Sequence, residues 1–189
     1  MTNDDVDRKR MRIALIANIG MFFIGIVGWY IADSTGLLAD AFDMLADASG
    51  YVVAMVAIGR SSQFQNNAAR WNGSMLILLG VGVIGEVIHR VISGSNPQGL
   101  VIIAFALLSL AVNGGVLAML APYRNTEEMH LKATWKDTRA DVLVNISVLL
   151  SGTAIAISGY RHIDLIVGFA IGLYVIKEGI EIFAETNGD

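Results

Sequence analysis

The chain has 189 residues, 54% hydrophobic and only 16% charged, against roughly 25% charged in soluble domains, and its mean hydropathy is +0.59. That balance excludes an ordinary soluble domain and makes lipid the solvent of this chain. The net charge of −4 comes with basic residues scattered along the sequence and no basic patch beside an aromatic platform, which excludes nucleic acid as a partner, and the lack of cysteine excludes disulfides and thiolate ligands.

In chain order, runs with little or no charge cover residues 13–32, 36–59, 71–92, 99–123, 142–160 and 163–183. Most are near the ~20 residues that span hydrocarbon. They predict six transmembrane helices, at about 11–32, 36–59, 71–92, 99–121, 129–159 and 163–184. The expected fold class is therefore all-α, a polytopic, multi-pass membrane protein placed in the plasma (inner) membrane. The first run is too long and unbroken, and lacks the small-residue cleavage pattern, to be a removed signal peptide. Asp33-Ser34-Thr35-Gly36, residues 63–69 and Ser93-Gly94-Ser95-Asn96-Pro97 read as the turns between the first four spans. Small residues within the spans, such as Gly20, Gly25 and Gly28 or Gly80, Gly82 and Gly85, read as packing positions where helices approach closely. Six spans and short turns use up residues 1–189, so the expectation is one transmembrane domain and no cytosolic one.

Orientation follows from the basic residues. Arg8, Lys9, Arg10, Arg12, Arg60, Arg70, Arg124, Lys132, Lys136, Arg139 and Lys177 fall on one side of this layout, against Arg90 and Arg161 on the other. The positive-inside rule puts both termini in the cytoplasm.

Against this apolar background the aspartates stand out. Asp43 and Asp47 lie four apart within the second span, and Asp137 and Asp141 repeat the spacing at the fifth. Residues four apart on a helix lie on one face, so each pair aims two carboxylates at one point. Asp40 falls on the same side, one turn earlier. A carboxylate at the bilayer centre costs about 2.5–3.5 kcal/mol on insertion scales, so three on one helix are a functional feature by default. Together the pairs read as a cation site in two halves.

Depth adds a constraint. Asp47 lies about 12 residues, or about 18 Å, from the inner end of its span. For Asp141 to meet it at equal depth, the fifth helix must begin near Met129, and its inner part, with Lys132, Lys136, Asp137 and Arg139, cannot face lipid. Polar helix at membrane depth lines water or protein. The expectation is a cytoplasm-facing aqueous cavity that leads to the aspartates and is faced by Lys136 and Arg139.

The stretch Asp40-Ala41-Phe42-Asp43-Met44-Leu45-Ala46-Asp47 resembles the second-helix signature of the cation diffusion facilitators, an Asp or His followed four residues later by Asp. Asp137-Thr138-Arg139-Ala140-Asp141, with Asn145 one turn on, is similar to that family's fifth-helix motif. The resemblance covers essentially the whole chain. It implies a homodimeric metal-cation/proton antiporter in which Asp43, Asp47, Asp137 and Asp141 form the transport site, and alternation between inward-open and outward-open arrangements. Asp137 stands where the family commonly has His. The cytosolic metal-binding domain of typical members and the His-rich loop of many zinc members have no counterpart in this sequence, whose loop offers only His130.

By ligand chemistry an all-oxygen site suits Mn²⁺ or Fe²⁺, while the intrinsic affinity order favours Zn²⁺ at a given site. The resemblance leans toward zinc. Zn²⁺, with Cd²⁺ as companion, is therefore placed slightly ahead of Mn²⁺ or Fe²⁺. No prosthetic group is expected; divalent metal and protons are the substrates, and the bilayer is the environment. Crowded carboxylates cannot all be ionised, so an arriving divalent cation must displace protons. The reading is a transporter and not an enzyme, with a passive divalent-cation channel as the alternative.

Asn145 could orient Asp141, and Asp40 could serve as a second layer around the ligands or as a cavity charge. Glu86, with His89 and Arg90, reads as an interfacial ion pair, and Asp164 as a cap on its own helix. None of His89, His130 and His162 has a spaced partner, and none is assigned to the metal.

Overall fold

The computed structural model describes residues 3–57, 61–125 and 129–187. Gly59 and Arg60, used above for span length and orientation, lie outside the described residues, as do the side chains of His130 and Lys132. Among the described residues there are six α-helices: α1 (Asn3–Ala32), α2 (Thr35–Ala57), α3 (Ser62–Ser93), α4 (Gly99–Met119), α5 (Met129–Ser158) and α6 (His162–Asn187). A 3-10 turn, Ala121–Asn125, sits between α4 and α5.

Two helices start well before the apolar runs that signalled them. α3 begins at Ser62 and not near residue 71, because Ser61 caps it, its hydroxyl accepting from the amide of Phe64, and Gln65, Asn66 and Asn67 continue the helix in polar form. α1 likewise begins at Asn3. An apolar run marks where a helix meets lipid, and backbone hydrogen bonding carries the helix past it. At the other end α3 stops on Gly94, whose φ of 87° few residues other than glycine adopt.

Among the described residues, four helices are long and apolar enough to cross a membrane: Val6–Ala32, Gln63–Ser93, Gly99–Met119 and Thr134–Ser158. α2 and α6 have the length, at 23 and 26 residues. Their acids, Asp40, Asp43 and Asp47 on α2 and Asp164, Glu178 and Glu181 on α6, interrupt the apolar character. These are also the helices that build the interior. α2 touches all five others, and Leu37, Leu38, Ala39, Ala41 and Met44 are buried on every side of it. Large apolar side chains such as Ile16, Phe23, Tyr30, Leu78, Ile92, Leu100 and Leu150 are exposed on the outer faces, as lipid contact requires.

Glycine sets the closest helix pairs. A Cβ on Gly73 would lie 2.9 Å from the Gly179 carbonyl oxygen, and one on Gly80 would lie 2.7 Å from that of Gly172, so α3 and α6 run antiparallel with their backbones touching. α4 and α5 are joined in the same way, a Cβ on Gly99 falling 2.6 Å from the Gly152 carbonyl. α1 closes on α2 at Gly25, where an added Cβ would lie 2.8 Å from that of Ala41. The helices thus form a tight α3/α6 pair and a group made of α1, α2, α4 and α5, with α1 also packing on α4 and α2 also packing broadly on α3 and α6. Across the seam between these two groups, Asp47 and Gly50 of α2 share one cavity with Asn72 of α3 and Glu178 of α6.

Candidate functional site

α2 and α5 run antiparallel, and three contacts fix their register. The Asn145 amide donates to Asp40 at 2.5 Å, the carboxyls of Asp47 and Asp141 share a hydrogen bond, and the Tyr51 and Thr138 hydroxyls meet at 3.3 Å. The two aspartate pairs therefore face each other. A carboxylate has acceptors only, so two carboxyls this close would need a shared proton to bond to each other.

Asp43 and Asp141 are buried, at 3% and 6% exposure, whereas Asp47 is half-buried and Asp137 exposed. Asp47 and Asp137 line a cavity of about 360 Å³, together with Gly50 and Tyr51 of α2, Asn72 of α3 and Glu178 of α6. Met11 of α1 and Glu181 of α6 also line it, which places the mouth at the end of the bundle where α1 begins and α6 ends. Asn72 accepts a hydrogen bond from Ser49 and so ties the α3 side of the cavity to α2.

The four sequence-expected ligands are not equally placed. Asp47 and Asp141 are in direct contact; Asp43 lies within electrostatic reach of both, and Asp137 within reach of Asp47. Among the described residues, no three His, Asp or Glu side chains stand close enough to ligate one ion together. Asp47 and Asp137 line the cavity while Asp43 and Asp141 lie buried behind its wall, and a tight cage would need the helices to close on the ion.

Asp40 has a different environment. It is 1% exposed, and its two oxygens accept from Asn145 and from Ser109 at 3.0 Å. Asn145 in turn accepts from the Asn113 amide at 3.2 Å, so its polar groups serve a buried network that links α2, α4 and α5. Asp40 does not line the cavity. Lys136 and Arg139 are exposed but are not among the described residues that line it either; Thr134 and Asp137 form the α5 wall. The reason is helical phase, since residues one before and two after Asp137 point about 100° and 200° away from it. Arg139 packs instead over the Trp135 ring, at 5.9 Å.

Glu178 was absent from the sequence reading. α6 runs parallel to α2 and brings this residue within electrostatic reach of Asp43, Asp47, Asp137 and Asp141. The Tyr174 hydroxyl, one turn earlier, hydrogen-bonds to it. Its signal was present, because a carboxylate inside the 163–183 apolar run obeys the same rule that singled out the aspartates.

At the far end, Arg90 is buried and pairs with Glu86 and Asp33, both at 2.6 Å, so the expected interfacial pair is a three-residue cluster that closes on a turn. His89 and His162 are exposed, the latter against the Tyr160 ring.

Comparison with known proteins bears on this geometry. A family model described as the cation efflux transmembrane domain matches residues 11–187. The chain is 24% identical over 200 residues to the cadmium, cobalt and zinc/H(+)-K(+) antiporter of Bacillus subtilis, a match that covers 97% of this chain and 63% of that protein. It is 21% identical over 196 residues to the zinc transporter ZitB of Yersinia pestis, with 97% and 63% covered. To the metal cation efflux system protein CzcD of Cupriavidus metallidurans it is 24% identical over 183 residues, with 90% and 57% covered. The chain thus spans less than two thirds of the length of these relatives.

Proposed function

The chain belongs to the cation efflux family, whose transmembrane domain it matches over residues 11–187, and from that membership we propose that it exports a divalent transition-metal ion across a membrane in exchange for protons. The transport site is Asp43, Asp47, Asp137 and Asp141, with Glu178 as a fifth carboxylate on the facing helix. The observation that carries this reading is the cavity of about 360 Å³ lined by Asp47, Asp137 and Glu178, with Asp141 in contact with Asp47 behind its wall. A divalent ion drawn along its acidic wall arrives where a proton is held between two carboxyls, and binding both oxygens requires that proton to leave. Exchange is then a property of one pair of side chains.

The helix grouping supports alternation. Backbones in contact, as in the α3/α6 pair, leave no room for internal sliding, so each helix group moves as a body. The seam between them passes through the cavity, with Glu178 on one body and the aspartates on the other. Rocking at this seam brings the carboxylates together around an ion and then opens them to the opposite side. All six helices cross the membrane in this proposal, both termini face the cytoplasm of the plasma membrane, and two copies associate as the family resemblance implies.

Zn²⁺, with Cd²⁺, is the preferred substrate. The names of the relatives include zinc, cadmium and cobalt, and the affinity order points the same way; Mn²⁺ and Fe²⁺ follow from the all-oxygen ligands. The test is uptake into proteoliposomes with a panel of divalent ions and an imposed pH gradient. Metal flux that is driven by the gradient and moves protons the other way is the expected result. Flux unchanged after the gradient is collapsed would identify a passive channel.

A further inference from the structure

The end of the bundle away from the cavity converges on one short turn. Asp164, in the first turn of α6, is fully buried, yet it does not cap its own helix. Its carboxylate accepts from the Thr35 amide at 2.6 Å, the Gly36 amide at 3.2 Å, and the Ser34 and Thr35 hydroxyls at 2.5 Å each. Those amides belong to the first turn of α2, whose leading N–H groups have no partner within the helix and whose dipole favours a negative charge. α6 therefore caps α2. Gly168, one turn along α6, lets the helices meet without a gap, since a Cβ there would lie 2.9 Å from the Thr35 Cβ.

The partner of α6 grips the same turn. Arg90 of α3 reaches Asp33 through an ion pair at 2.6 Å and a hydrogen bond to its carbonyl. Asp33 has a φ of 51°, a left-handed conformation uncommon outside glycine. Both helices of the α3/α6 pair thus hold residues 33–36 by charge-assisted hydrogen bonds. At the opposite end of α2 and α6, the same two helices are separated by the cavity, with Asp47 and Gly50 on one wall and Glu178 and Glu181 on the other.

We propose that the Asp33–Gly36 turn, held by Arg90 and Asp164, is a latch that keeps the far end shut and thereby holds the cavity open at the end of the termini. Polar bonds suit a joint that must open, because water replaces each partner on release, which packed apolar surface would not allow. The inference rests on the reading that the two helix groups move relative to each other, and it adds the contact that sets their balance.

The absence of native cysteine makes single-cysteine reporters usable in the full chain. Gly50→Cys reports the cavity, since a Cβ there has only ordinary contact with Asn72, and Val148→Cys reports the buried interior beside Gly36 at the far end. Each is labelled with a water-soluble maleimide in purified protein. Asp164→Asn keeps the shape and weakens the charged grip, so it should speed labelling of the Val148→Cys reporter roughly tenfold or more and slow that of the Gly50→Cys reporter. Thr35→Val, which removes one donor from the other side, should shift both rates the same way by a smaller factor, and it carries the test if Asp164→Asn does not accumulate. Rates that rise together at both sites, or a far-end rate that does not move in either variant, would overturn the latch. Metal uptake by the parent chain is measured alongside. A reciprocal labelling shift without metal uptake would keep the latch and sink the transport reading, while normal uptake with unmoved labelling would do the reverse.

Discussion

Asp40 and Asp47 lie two turns apart on one helix and share a chemistry, yet they have become different kinds of residue. Every oxygen of Asp40 is taken by a side-chain amide or hydroxyl within a dry network that joins α2 to α4 and α5. Asp47 lines the cavity among other acids, with Asp141 in contact beside it. A carboxylate is available to a cation only when its acceptor capacity is left over and its surroundings conduct ions. Position on an acidic helix face does not decide this; the neighbours contributed by other helices do.

The largest expected effect tests the exposed half of this contrast. Asp47→Asn and Asp141→Asn should each abolish metal-driven proton exchange in proteoliposomes, because the amide keeps the shape and removes charge and exchangeable proton together. Asp40→Asn should behave in the opposite sense. It faces the Asn145 amide with a second N–H donor and should lower stability by about 1–3 kcal/mol, read as a lower melting temperature, while the folded fraction keeps its metal preference. Transport that survives loss of Asp47, or a changed metal profile on loss of Asp40, would erase the distinction between the two.

Glu178 offers the next test, since it belongs to the cavity side without belonging to either aspartate motif. Glu178→Gln should raise the metal concentration needed for half-maximal uptake several-fold, with a smaller effect at saturating metal, because one charge facing the aspartates is gone while they remain. An unchanged concentration dependence would make it a bystander. The smallest expected effect is one of selectivity. Asp137→His exchanges a hard oxygen for an imidazole nitrogen on the cavity wall and should raise the ratio of zinc to manganese uptake a few-fold. Asp137→Ala, lacking any donor, should weaken both; an unaltered profile in both variants would leave Asp43, Asp47 and Asp141 as the cation's ligands.

What could be read in advance divides along the same physical line. The i, i+4 spacing of Asp43 with Asp47, and of Asp137 with Asp141, is local, and periodicity along one helix suffices to see it. The number of helices follows from apolar run length. The partners of Asp40, Asp164 and Glu178 on other helices lie roughly 35 to 135 residues away, on helices whose rotation is set by glycine contacts and not by any pattern near the acid itself. Asp164 illustrates the difficulty. A carboxylate at a helix start reads as a cap on that helix, and only the parallel approach of α6 to α2 turns it toward another one. Lys136 and Arg139 were misplaced for a related reason, since the charge of a segment says that it meets water but not through which face.

The glycine seam of α3 and α6 makes Glu178 a passenger. Arg70 of α3 hydrogen-bonds to the Thr186 hydroxyl and carbonyl of α6 two turns beyond it, but the closest spacing of the two helices is set by hydrogen atoms at Gly73, Gly80, Gly172 and Gly179, where backbone meets backbone. A single added methyl at Gly179, beside Glu178, would meet the Gly73 carbonyl oxygen at 2.7 Å and displace the whole helix. The dimensions of the passage are thus fixed from behind its wall, by residues that no ion ever touches.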